Sequence, residues 1–65
     1  MDWSKIENII VEMPSGFKYR AWVENNVLNS CRHENHHSDY RDIEEIDKEW
    51  LEVEKIASKY FNIKQ

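Results

Sequence analysis

Cys31, His33, His36 and His37 bring one thiol and three imidazoles into a single short stretch, Cys31-Arg32-His33-Glu34-Asn35-His36-His37. Thiolate and imidazole are the ligands zinc prefers. Structural zinc sites, however, use two separated ligand pairs, so that the metal ties distant segments together. A single loop rarely supplies a full tetrahedral set. Asp39 or a second subunit would have to complete this one. The expectation is therefore no cofactor, with zinc the one metal these side chains would suit. The same imidazoles titrate near neutrality and have the chemistry of a pH sensor or a general base. No nucleophile, oxyanion motif or Gly-rich phosphate loop accompanies them. A chain this short also struggles to enclose a pocket of about 300 Å³ or more. The reading is not an enzyme.

A second group is the row Lys18, Arg20 and Trp22. On a strand these three point to one face. Two bases and an indole in line can follow a phosphate backbone and stack on a base. Against that stand the acids Glu12 and Glu24 beside the row and a net charge of −4. Nucleic acid is thus the alternative partner, not the first.

A third group is apolar: Trp50, Leu51, Tyr60 and Phe61 near the C-terminus. Exposed aromatic and large aliphatic side chains anchor protein interfaces. They lie among acids, which would steer the surface toward a basic target.

Elements must position these groups. The clearest punctuation is Pro14-Ser15-Gly16, which holds the one Pro and the one Gly of the chain. Apolar residues alternate on both sides of it, a strand signal. Met13-Pro14-Ser15-Gly16 suits a type I turn, with Gly16 left-handed to close a three-residue hairpin loop. That loop sets a register. Met13 meets Phe17, Val11 meets Tyr19 and Ile9 meets Ala21, all apolar on one face. On the other face Glu12 meets Lys18 and Ile10 meets Arg20. A slip of one residue would scramble this sorting. Asn25-Asn26 then forms a second tight turn, because asparagine tolerates positive φ. Residues 27–32 become a third strand, with Val23 opposite Leu28.

A rival reading uses Ser4-Lys5-Ile6-Glu7 as a capping box. Ile6, Ile9, Ile10 and Met13 follow at helical spacing, and Pro14 ends the helix. The domain would then be an all-α arrangement of three helices. Asn25 and Asn26, poor helix formers, oppose it.

The C-terminal helix is marked more strongly, over about 39–61. Ser38 or Asp39 can cap it. Acids crowd its start, and Lys55, Lys59 and Lys64 lie toward its end, as the macrodipole favours. Glu44 and Lys48 are placed to pair at i,i+4. Ile43, Ile46, Trp50, Val53, Ala57 and Tyr60 make an apolar seam, with Leu51 off it. Such a helix is roughly 33 Å long, whereas a domain of this size has a radius of gyration of about 11 Å. The far end, with Ala57, Tyr60 and Phe61, is expected to be poorly covered.

Bulk properties agree with one small domain. The 65 residues carry 13 acids and 9 bases. Residues 1–37 hold five acids and four bases, and 38–65 hold eight and five, so the helical end carries −3 of the −4. Cys31 is the only cysteine, which excludes an internal disulfide. A thin core then needs another staple, a metal or a second chain. No signal-peptide pattern or membrane-length apolar run is present. The expectation is a cytoplasmic α+β domain, a β-hairpin or three-stranded meander packed on one helix. Its expected role is non-enzymatic: binding another protein, or a second copy as a homodimer, in the manner of an antitoxin, a phage-type inhibitor or a small regulator.

Overall fold

A computed structural model describes residues 2–33 and 40–63. A short 3₁₀ turn, Trp3–Lys5, opens the chain. Strands β1 (Asn8–Glu12), β2 (Lys18–Glu24) and β3 (Val27–Arg32) follow, and helix α1 (Ile43–Phe61) ends it. The strands form one antiparallel sheet in the order β1-β2-β3, with α1 packed across it. The fold is α+β, and the three-helix alternative is excluded.

The first turn forms as its chemistry requires. Gly16 has φ +92° and donates its N–H to the Met13 carbonyl at 2.8 Å. The Met13 N–H donates to Phe17 O at 2.9 Å and closes the loop. A Cβ on Gly16 would meet nothing within 4 Å, so the glycine serves its backbone angle and not a close approach. The resulting register pairs Ile9 with Ala21, Ile10 with Arg20, Val11 with Tyr19 and Glu12 with Lys18. Val23 pairs with Leu28 across the second turn.

That second turn places both asparagines left-handed, with φ 54° at Asn25 and 63° at Asn26. Both signs match a type I′ turn, where Gly is favoured at the second position. Asn26→Gly should relieve strain of about 0.5 kcal/mol and raise the melting temperature by about 2–4 °C. Asn26→Val should lower it. Scanning calorimetry of the two variants checks both signs.

The rival capping box is not used. Asp2, not Ser4, caps the N-terminal turn: its carboxylate accepts from the Ser4 N–H at 3.1 Å and the Ser4 hydroxyl at 2.6 Å. The chain is extended again at Ile6.

Helix α1 starts at Ile43, later than the 39–61 expected from the sequence. Residue 39 lies outside the described residues, as does Ser38. Asp42 is the N-cap residue, in extended conformation and without a side-chain cap bond. The reason for the late start is tertiary. Arg41 lies over the Phe17 ring, 4.1 Å from its centroid, and binds Glu49 at 2.7 Å. Both contacts hold Arg41 itself outside the helix. Glu44 and Lys48 form no ion pair among the described residues, while Lys55 and Glu52 do, at 3.3 Å. The helix ends on Asn62, left-handed at φ 57°, with the Ile63 N–H donating to Ser58 O at 2.9 Å. This is a Schellman-type close.

Val11, Tyr19, Ala21, Val53 and Ala57 are buried. Ile9, Met13, Phe17 and Trp50 pack around Val11, Tyr19 and Val53. The expectation that Ala57 would be poorly covered is corrected: it is fully buried. The molecule is flatter and longer than a sphere of its mass, 33 × 25 × 17 Å. Nineteen helical residues, about 28 Å long, therefore fit along it. The seam instead loosens at its ends, where Ile43 is 75% and Tyr60 63% exposed. Among the described residues no helix is long and apolar enough to cross a membrane.

Candidate partner-binding groove

Among the described residues, polar contacts on opposite flanks anchor the helix to the sheet at Glu49 and at Trp50. On one flank the Tyr19 hydroxyl donates to Glu49 Oε1 at 2.8 Å. Arg41 Nη1 donates to the same oxygen at 2.7 Å, and Arg41 Nη2 reaches the Tyr19 hydroxyl at 3.4 Å. Burial pushes the Glu49 carboxyl up. Hydrogen bonds from Ser15, Arg41 and Tyr19, with the Arg41 charge, outweigh this and hold it below its usual value. Burial, then the bond to Glu49, pushes the Tyr19 phenol up. On the other flank the Trp50 indole N–H donates to the Ser30 hydroxyl at 2.8 Å, beside β3. Trp50 also tilts against Tyr19, at 5.6 Å between ring centroids.

These two anchors set the rotation of α1, and the rotation decides what remains outside. One step round from Trp50, on the β3 side, lie Asp47, Leu51 and Glu54. Together with Trp50 they line an open groove of about 340 Å³. Its size exceeds what so short a chain was expected to enclose, because it is a surface groove and not a closed pocket. Leu51 is 57% exposed. Among the described residues neither Asp47 nor Glu54 forms an ion pair. The groove is thus an apolar floor between two unneutralised carboxylates.

Of the four apolar site residues expected from the sequence, the structure joins them in pairs. Trp50 and Leu51 share the groove. Tyr60 and Phe61 pack edge to face at 5.0 Å near the far end of the helix. Leu51 and Tyr60 are nine residues apart, about two and a half turns, and so face opposite flanks. They do not make one patch. Sequence reasoning counted Asp47 and Glu54 only among the helix acids. Their spacing from Leu51, four residues before and three after, puts them on its side of the helix and was the available signal.

Lys18, Arg20 and Trp22 do share the outer face of the sheet, away from α1. Their surroundings differ from an open basic row. Trp3 packs edge-on against Trp22 at 4.9 Å. Arg20 lies over the Trp3 ring, 4.5 Å from its centroid, and donates to Asn8 Oδ1. Asn8 in turn donates to the carbonyls of Trp3, at 3.0 Å, and Ile6, at 2.6 Å. Asn8 thereby latches the N-terminal turn over the row. The Trp22 indole nitrogen is buried, with no hydrogen-bond partner among the described residues.

Cys31 is half-buried in β3, and His33 follows that strand. His36 and His37 lie outside the described residues, as does Asp39. Among the described residues no cluster of three or more His, Cys, Asp or Glu is placed to hold a metal.

The structure thus defines a small sheet-and-helix unit with a flanked apolar groove on the helix. No protein-family model, curated protein or solved structure matches the chain.

Proposed function

We propose that this protein is a non-enzymatic protein-binding module that acts by occupying the surface of another macromolecule, as an inhibitor, antitoxin or small regulator does. The supporting observation is Leu51, exposed beside half-buried Trp50 and flanked by the unpaired carboxylates of Asp47 and Glu54. A large apolar side chain held out on a rigid helix costs solubility and contributes nothing to the core. It becomes favourable when a partner covers it. The acids select a basic partner and speed its approach. A symmetric second copy docking through this groove would set Asp47 and Glu54 against the same residues, so the groove suits a different chain.

The test is affinity capture from cells of the source organism at low and high salt, with mobility shifts against DNA and RNA in parallel. Leu51→Lys should abolish capture of the partner. Thermal stability should stay within about 0.5 kcal/mol, because Leu51 lies outside the core. Lys18→Ala/Arg20→Ala should capture normally. Salt-sensitive binding of DNA or RNA, lost in Lys18→Ala/Arg20→Ala and unaffected by Leu51→Lys, would overturn the proposal. The sheet's outer face would then be the functional surface.

A further inference from the structure

Trp50, which lines the groove, is bonded to Ser30 of β3, so the groove lies on the flank of α1 that faces that edge of the sheet. β3 is a terminal strand of the sheet. The His33 N–H donates to Lys18 O at 3.0 Å, so Lys18 and His33 are a hydrogen-bonded pair. Such pairs alternate along an antiparallel ladder. Val27, Asn29 and Cys31 therefore turn their main-chain groups inward to β2. Leu28 and Ser30 turn theirs outward. Among the described residues no strand lies beside that edge. The side chains of Leu28 and Ser30 point to the helix side, as the Trp50–Ser30 bond shows directly.

Resting on the protein-binding reading, we infer that the partner enters as an extended cationic segment that adds a fourth strand to β3. It presents the pattern lysine or arginine, any residue, large apolar residue, any residue, lysine or arginine. The pattern follows from the geometry. Alternate residues of an added strand face the helix. The central one lies beside Trp50 and Leu51, in a groove of about 340 Å³, enough for a leucine or an aromatic ring. Its neighbours two positions away carry the charges. They stand about 13 Å apart along a strand, against about 10 Å between Asp47 and Glu54 along the helix, a difference flexible lysine side chains absorb. Main-chain bonds to Leu28 and Ser30 supply affinity, and the alternate side chains supply selection, as in other strand additions.

The test uses the full chain and blocked peptides. The probe is Thr-Lys-Thr-Leu-Thr-Lys-Thr, followed by amide shifts in NMR. Three controls accompany it: glutamate in place of both lysines, proline in place of both central threonines, and a same-composition peptide with the lysines moved one position. Binding of the probe should shift the Leu28 and Ser30 amides together with the Trp50 indole N–H and the Leu51 amide. All three controls should bind roughly tenfold more weakly or not at all. Asp47→Asn/Glu54→Gln should weaken the probe by roughly tenfold while leaving the unbound spectrum folded. Shifts confined to α1, with the proline peptide binding equally well, would overturn strand addition. So would concentration-dependent shifts at the edge without peptide, which would identify a second copy as the occupant. No binding of the probe would overturn it as well. If cellular capture still depends on Leu51 in that case, the binding module stands and only the strand-adding mode fails.

Discussion

Tyr19→Ala should remove about half or more of this chain's folding free energy. Tyr19 is fully buried on the central strand, where the helix crosses the sheet. Its ring packs on Trp50, and its hydroxyl bridges to Glu49 and Arg41. Truncating a buried aromatic ring costs about 3–5 kcal/mol. A domain of this length has about 3–10 kcal/mol in all. The variant also strands the Glu49 carboxylate with one partner fewer. Tyr19→Phe separates the two contributions: it keeps the ring and loses only the hydroxyl, at about 1–2 kcal/mol. Urea unfolding followed by far-UV circular dichroism measures both. A Tyr19→Ala protein with a wild-type urea midpoint would show that the sheet and helix cohere without this contact. Tyr19→Phe as unstable as Tyr19→Ala would show that the hydroxyl network, and not the ring, holds the helix.

How much of this architecture the chain announces locally depends on the range of each interaction. The β1–β2 register was readable because two short-range signals agree: a turn that needs Gly16, and alternation that puts Ile9, Val11, Tyr19 and Ala21 on one face. The Asn25-Asn26 turn was readable for the same reason. The position of the helix start was not. Arg41 leaves the helical path to reach Phe17 and Glu49, and nothing near Arg41 in sequence indicates a ring 24 residues earlier. The cover over Trp22 is similarly remote, since Trp3 arrives through an Asn8 latch whose amide nitrogen donates to the main-chain carbonyls of Trp3 and Ile6. The groove sits between these cases. Its acids and Leu51 are visible as helical neighbours, but the side they face is fixed by the Trp50–Ser30 and Tyr19–Glu49 bonds, which span 20 and 30 residues.

Latching Trp3 over the sheet also has a consequence for the basic row. Arg20 is already stacked on an indole and bonded to Asn8. Trp22 already has its ring edge-packed. A nucleic acid using these side chains would first have to displace the N-terminal turn, giving up those contacts. The groove on the opposite side of the molecule demands no such rearrangement. Its floor is exposed in the unbound protein, and its charges have no competing partner among the described residues. That difference in reorganisation, more than the net charge, separates the two surfaces.

Tyr19 and Glu49 should also set the two pH limits of the fold. Glu49 titrates below its ordinary value of 4.5 in the folded protein. A lowered carboxyl stabilises the fold at pH values above 4.5, and that stabilisation is lost as pH falls through the folded value. Tyr19 titrates above its ordinary value of 10.0. The folded state therefore keeps the phenol proton where the unfolded chain gives it up. The corresponding stabilisation is complete below pH 10.0 and declines as pH rises through the folded value. Stability should form a plateau with an acid shoulder set by Glu49, which Ser15, Arg41 and Tyr19 hold low, and an alkaline shoulder set by Tyr19, which burial and then the bond to Glu49 push up. Glu49→Gln should lower the plateau by about 2 kcal/mol, because charge-assisted bonds from Arg41 and Tyr19 are lost, and should flatten the acid shoulder. The acid dependence that persists in this variant includes Asp2, whose carboxyl the Ser4 hydroxyl and N–H hold low. Tyr19→Phe should flatten the alkaline shoulder and leave an acid one. Urea midpoints measured from pH 3 to pH 11 for the three proteins decide the matter. An acid shoulder of unchanged size in Glu49→Gln would assign acid sensitivity to the exposed helix carboxylates and remove Glu49 from the account.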